Sequence, residues 1–233
     1  MSADAARIPA AATHSLTLDR GLRALRVLLE HPDGMSVAEI AEALDTHRAA
    51  VYRLLAPLSE HHLIRRLPDG RFVLGAGLLD LAGGVQPRLQ EAAEPVLRQL
   101  ADQLGATTAL TIRDGEDAVV AIVIAPRDQL MHLTYRTGMR HPLSRGAPGL
   151  AVLAALPPRA GEPDEVTRAR ARGWAQSSGQ LLPGATGVAA AICFPVPEPV
   201  AAISAVWIAG IDIEAAGRQV AAAANELTRA LQR

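Results

Sequence analysis

The sequence predicts an α+β chain: a winged helix-turn-helix, then helices, then a larger unit built on an antiparallel sheet flanked by helices. Three observations predict it. Residues 17–75 read as helix, helix, tight turn, helix and β-hairpin. From Ala106 onward the pattern changes to strand-like runs interleaved with helical ones. The 233 residues are 49% hydrophobic and 20% charged, which fits one or two globular domains, each with its own core, and not a disordered chain.

Residues 1–15 are Ala-rich and featureless and read as a disordered tail. From Leu16 to Leu29 apolar residues fall at Leu18, Leu22, Leu25 and Leu29, the stripe of an amphipathic helix, which His31-Pro-Asp-Gly34 ends. Ser36-Val-Ala-Glu39 is a capping box that opens a short helix with Val37, Ile40, Ala41 and Leu44 inward. Asp45-Thr46 interrupts and offers a second N-cap. The next helix carries Val51, Leu54, Leu55 and Leu58 on one face. Leu63–Leu67 and Arg71–Leu74, around Pro68-Asp-Gly70, make a hairpin. Leu78–Ala82 predicts a short helix and Arg88–Leu104 a longer one. Thr107–Arg113, Ala118–Ile124, Leu130–Tyr135, Val188–Phe194 and Val200–Ile208 read as strands, Gly149–Leu156, Asp164–Arg172 and Ala215–Leu231 as helices.

In a winged helix-turn-helix the second helix of the pair enters the DNA major groove. With its apolar stripe packed inward, that helix presents His47, Arg48, Ala49, Tyr52 and Arg53 to double-stranded DNA. Arginine is the commonest reader of guanine, and Tyr52 suits a phosphate contact or stacking. Arg65, Arg66 and Arg71 on the wing would neutralise phosphates. Charge alone does not argue for this: the net charge is −1, and Arg and acidic residues balance within residues 16–75.

All 23 cationic residues are Arg, which excludes lysine Schiff-base and P-loop chemistry. Cys193 is the single cysteine, so no internal disulfide or multi-cysteine zinc site exists, and its apolar neighbours predict a buried thiol. His47, His61 and His62 lack partners at metal-ligand spacing. His132 and His141 read as surface or turn residues. No cofactor is implied, and no acid–base or nucleophile pair argues for an enzyme. With no secretory signal and no membrane-length apolar run, the expected location is cytoplasmic. Two rival readings stay open: catalysis within residues 106–233, or a winged-helix module that binds protein instead of DNA.

The run from Leu18 to Gly77 resembles the IclR family of bacterial transcriptional regulators. The telling pieces are Asp19-Arg-Gly-Leu-Arg-Ala-Leu-Arg-Val-Leu28, Ser36-Val-Ala-Glu-Ile-Ala41, Val51-Tyr-Arg-Leu-Leu55 and Pro68-Asp-Gly-Arg-Phe-Val-Leu-Gly75. Glu94-Pro-Val-Leu97, His141-Pro-Leu143, Gly149-Leu-Ala-Val-Leu153, Arg172-Gly-Trp-Ala175 and Pro183-Gly184 extend the likeness across residues 16–232. The resemblance implies a DNA-binding domain over residues 16–75, linker helices over 76–104, and a GAF-like effector-binding domain over 105–233. It implies homodimers, often paired into homotetramers, on palindromic operator DNA, and a small organic acid or aromatic metabolite as effector. It places effector-binding positions at Ser144, Gly146, Ala147, Ser177, Gly187, Trp207 and Ala209. The chain departs from the family pattern with Ala49 and Ala50 where hydroxyl residues are common. It departs again with Ser177 for an acidic residue, Gly187 for Cys, and Trp207 and Ala209 for small hydroxyl residues. These changes point to a more apolar effector or to weakened sensing.

Overall fold

The computed structural model describes residues 15–127, 135–193, 199–208 and 210–232. The tail predicted over residues 1–15 and the strand predicted from Leu130 lie outside the described residues except for Ser15 and Tyr135. Two compact units divide between Val85 and Gln86.

The first unit begins with α1 (Leu16–Leu29), capped by Ser15, whose hydroxyl accepts from the Leu18 N–H. Helix α2 (Val37–Ala43) opens with both halves of the predicted capping box, Ser36 to Glu39 and back. Helix α3 (Arg48–Glu60) follows, then β1 (Ile64–Arg66) and β2 (Phe72–Leu74), paired antiparallel. Met35 bridges to Phe72, so the α1–α2 connection lies against the wing. The core joins Ala24, Leu28, Ile40, Leu44, Val51, Leu54, Leu55, Ile64 and Phe72. A short α4 (Gly77–Gly83) buries none of its residues.

Two expectations change here. The α1 leucine stripe faces away from the core: Leu18, Leu22 and Leu29 are 63%, 52% and 60% exposed, and Leu25 is only partly buried. The buried face is Gly21, Ala24 and Leu28, which has the same helical spacing. Period alone cannot separate two such stripes, and the smaller residues allow the helices to approach closely. The cap of α3 is His47, in extended conformation and with no side-chain capping bond, rather than Asp45 or Thr46. Asp45 instead takes a left-handed conformation, φ +48°, in the turn.

The second unit starts with α5 (Pro87–Leu104) and contains β3 (Thr107–Asp114), β4 (Asp117–Ile124), β5 (Arg140–Pro142), α6 (Gly146–Ala155), α7 (Asp164–Arg172), β6 (Ala175–Ser178), β7 (Thr186–Cys193), β8 (Pro199–Trp207) and α8 (Ile213–Leu231). The strands form one six-stranded antiparallel sheet in the order β5-β4-β3-β8-β7-β6. On one face α5 and α8 bury Leu89, Leu97, Val220 and Leu227 against Leu110, Val188, Ile203 and Trp207. On the other, α6 and α7 bury Leu150, Val152 and Val166 against Ala118, Ala175, Ala189 and Ala202. Helix α5 is thus a layer of this core and not only a connection; Leu89, Ala93, Leu97, Leu100 and Ala101 are its buried stripe. The short strands β5 and β6 had no apolar alternation to betray them.

Cys193 is exposed at the end of β7, not buried. His141 is buried, not at the surface, and burial pushes its pKa down. The end of α6 is fastened by Arg170, which donates to the carbonyls of Leu153, Ala154 and Leu156 and pairs with Glu162. These contacts satisfy carbonyls that a helix end leaves without partners.

Arg170 hydrogen bonds hold the Glu162 carboxyl at about 2, below an ordinary 4.5. A depressed carboxylate pKa contributes stability above the unfolded value that is lost as pH falls through the folded one. Thermal melts should therefore show a loss between pH 4.5 and about 2 that Glu162→Gln largely removes. The variant should also melt lower than wild type at pH 7. An unchanged pH profile would refute this role. In the first unit, a Cβ on Gly75 would collide with the His62 carbonyl, and Gly75 N–H donates to Leu63 O at 2.8 Å. Gly75→Ala should cost about 1–3 kcal/mol in urea unfolding of that unit, the scale of an overpacked site.

Candidate DNA-binding surface and effector cavity

Val51, Leu54 and Leu55 of α3 are buried, which fixes the rotation of the helix about its axis. The opposite side then carries His47, Arg48, Ala49, Tyr52 and Arg53, all exposed, with Tyr52 at 57%. Arg48 and Tyr52, like Ala49 and Arg53, are four residues apart and form two adjacent rows. No ion pair engages Arg48, Arg53 or Arg65 among the described residues. The open N-terminus of α3 adds backbone donors of the kind that suit a phosphate.

On the wing, Arg65 and Arg66 are exposed. Arg66 also donates to Gly70 O and lies over the Phe72 ring, 5.9 Å from its centroid. Arg71 is engaged within the domain. Its Nε donates to Gly34 O at 2.9 Å, and its Nη2 reaches both Glu39 carboxylate oxygens at 3.2 Å. Glu39 also accepts from Ser36 N–H, the largest cause of its lowered pKa, with the Ser36 hydroxyl bond and Arg71 adding to it. Arg71 thereby joins the wing, the α1–α2 turn and α2.

In the second unit a cavity lies between the sheet and the start of α6. Ala147, Ser177 and Gly187 line it, together with Tyr135, Ser204 and Val206. Loop residues Gln180, Leu181 and Leu182, between β6 and β7, cover it. The free space is about 20 Å³, room for roughly one water. Gly146 is buried at the first turn of α6 with φ +78°, and a Cβ there would collide with Leu181. Ser144 is exposed and does not line the cavity. Trp207 faces the other side of the sheet, in the α5–α8 core, with its indole N–H on Leu104 O at 3.1 Å. Alternation along β8 gives the cavity Ser204 and Val206 instead. Ala209 lies outside the described residues. The sequence reading does not single out Tyr135, Gln180 or Ser204, and on the late strand it names Trp207 and Ala209 rather than Val206; reading β8 with strict period two gives Ser204 and Val206.

Two family models match the chain: the IclR helix-turn-helix domain over residues 17–68, and the bacterial transcriptional regulator IclR C-terminal domain over residues 85–162. The chain belongs to the IclR family. The IclR boundary at residue 85 falls where the structure divides. Among curated IclR-type relatives, the HTH-type transcriptional regulator Rv1719 of Mycobacterium tuberculosis is 36% identical over 60% of this chain and 54% of its own length. TtgV of Pseudomonas putida, also an HTH-type transcriptional regulator, is 32% identical over 59% of this chain and 53% of its own. The matches span about half the length of these relatives. A crystal structure of an IclR homologue from Microbacterium hydrocarbonoxydans, complexed with 4-hydroxybenzoate, shares the fold with TM-score 0.78 and 21% identity. That match covers 92% of this chain and 99% of the homologue.

Gly187, in the cavity lining, and Gly146, beside it, should respond differently to a methyl group. At Gly187 a Cβ would meet its nearest atoms at 3.7–3.8 Å, ordinary contact. Gly187→Ala should change stability by less than about 1 kcal/mol, whereas Gly146→Ala should cost at least about 1 kcal/mol from backbone strain and collision. Denaturant midpoints of the two variants measure the contrast; equal midpoints would contradict it.

Proposed function

We propose that the protein is a cytoplasmic transcriptional regulator that binds palindromic operator DNA as a homodimer, and that a small metabolite in the second unit's cavity alters its operator affinity. The observation that carries this is the outward face of α3. Arg48 and Arg53 stand there free of ion pairs among the described residues, on a helix whose rotation its core stripe fixes. Arg48 reads base edges near the helix start, and Arg53 with Tyr52 contacts the flanking backbone. Arg65 and Arg66 neutralise phosphates on the wing side, while Arg71 serves DNA through the wing it holds.

The outward leucines of α1, Leu18, Leu22 and Leu29, support self-association through the first unit. A contiguous apolar stripe of this kind is unusual on a monomer's surface. A dimer would meet half-sites about 34–36 Å apart on one face of the duplex. Pairing of dimers into a tetramer is consistent with the family. Support for an effector comes from the cavity itself and from the homologue complexed with 4-hydroxybenzoate. Linkage then requires reciprocity: an effector that weakens DNA binding by some factor is itself weakened by DNA by the same factor.

Fluorescence anisotropy with DNA from immediately upstream of the gene, across a salt series, tests this reading. Wild type should bind selectively, with affinity falling steeply as salt rises. Arg48→Ala with Arg53→Ala should abolish selectivity, and Arg65→Ala should weaken all sequences alike and reduce the salt slope by about one. Binding that ignores salt and survives the double substitution would favour the protein-binding module instead.

A further inference from the structure

We propose that the cavity of the second unit takes an uncharged small molecule with a hydroxyl or carbonyl group, a phenol or alcohol in kind, and that the β6–β7 loop yields to admit it. The inference rests on reading this cavity as the effector site and names the chemistry that the site selects.

A carboxylate entering here would seek backbone donors at the start of α6, or a cation. Neither is open. The Gly146 N–H already donates to Gln180 Oε1 at 2.7 Å, and the Ala147 N–H to Ser177 Oγ at 2.8 Å. The protein's own side chains occupy the place where a helix N-terminus would otherwise hold an anion. Among the described residues, the cavity lining includes no Arg, His, Asp or Glu. Moving an ion from water into such a lining is heavily penalised when nothing pairs with it.

The cavity also has polar groups that lack partners among the described residues. Tyr135 and Ser204 line it, both buried, and neither hydroxyl has a hydrogen-bond partner among the described residues. The buried hydroxyl of Thr111 is likewise unpartnered. Thr111 and Ser204 stand near enough to ease ionisation of the Tyr135 phenol slightly, but burial outweighs them and pushes its pKa up. All three are therefore neutral, and each can both donate and accept. A neutral hydroxyl or carbonyl satisfies them without bringing a charge inside. Leu181, Leu182, Pro148 and Val206 supply apolar walls for the rest of the molecule.

The present free space holds roughly one water, so a ligand the size of a phenol needs the cover to move. Leu181 and Leu182 lie in the loop between Gly179 and Gly184, both in positive-φ conformations. The loop is fastened by Gln180 Oε1 on Gly146 and by the Arg145 guanidinium on the Gln180 carbonyl. Removing Leu181 should lower the cost of opening and so tighten apparent binding.

Isothermal titration of the full chain with matched pairs tests the proposal: phenol against benzoate, and cyclohexanol against cyclohexanecarboxylate. The neutral member should bind at least tenfold tighter in each pair. Leu181→Ala should strengthen the neutral ligands several-fold, Ser204→Ala should weaken them by about tenfold, and Gly187→Val should block them. A thermal melt of each variant confirms that it is folded. Carboxylates that bind as tightly as their neutral partners and are blocked by Gly187→Val would overturn the proposed chemistry while leaving the effector reading intact. Binding by neither class, in wild type or in Leu181→Ala, would overturn both. Binding indifferent to Ser204 and Gly187 would place the ligand elsewhere and overturn the proposal.

Discussion

The second unit depends on strict two-residue alternation along its central strands. In β8, Ala201, Ile203, Ala205 and Trp207 face α5 and α8, while Ala202, Ser204 and Val206 face α6 and the cavity. In β7, Val188, Ala190 and Ile192 take the first face, and Gly187 and Ala189 the second. Small residues dominate the α6 face, so the helix sits close and only a small hollow remains near its first turn. Shifting either strand by one residue would exchange the contents of the core and the cavity. The antiparallel registers from β3 to β6 fix that choice across the sheet.

The first unit is organised by helix rotation. Its core stripe on α3 decides which residues face outward, and the α3 stripe is legible in the sequence because Val51, Leu54 and Leu55 are aliphatic while Tyr52 and Arg53 between them carry polar ends. The stripe on α1 is not, because a small-residue face and a leucine face share one period, and only packing chooses between them. Arg71 shows a similar limit. Its place on the wing follows from the hairpin signal, but its bonds to Gly34 and Glu39 join residues 37 and 32 positions apart, which no local pattern reveals.

The same reasoning explains the uneven reading of the cavity. Ala147, Ser177 and Gly187 were reached through the family likeness, and they do line the hollow. The same likeness points to Trp207, but odd-numbered residues of β8 face the helical core on the other side. Tyr135 follows a segment outside the described residues, and Gln180 reaches the site from a loop whose path depends on tertiary contacts. The polar strand β6 carried no hydrophobic period, since it is an edge strand with few buried side chains. The apolar neighbours of Cys193 suggest burial, but a strand end need not share the burial of the strand, and the thiol is exposed.

Arg71 also gives the first unit a mechanical property. Because one guanidinium grips the α1–α2 turn and α2 from the wing, the wing and the helix pair are tied together like the arms of a caliper. A caliper of fixed gape discriminates among duplexes by groove width and bendability as well as by base edges. Stretches of operator touched by no side chain would then still influence affinity, through how readily they deform to the spacing between α3 and the wing.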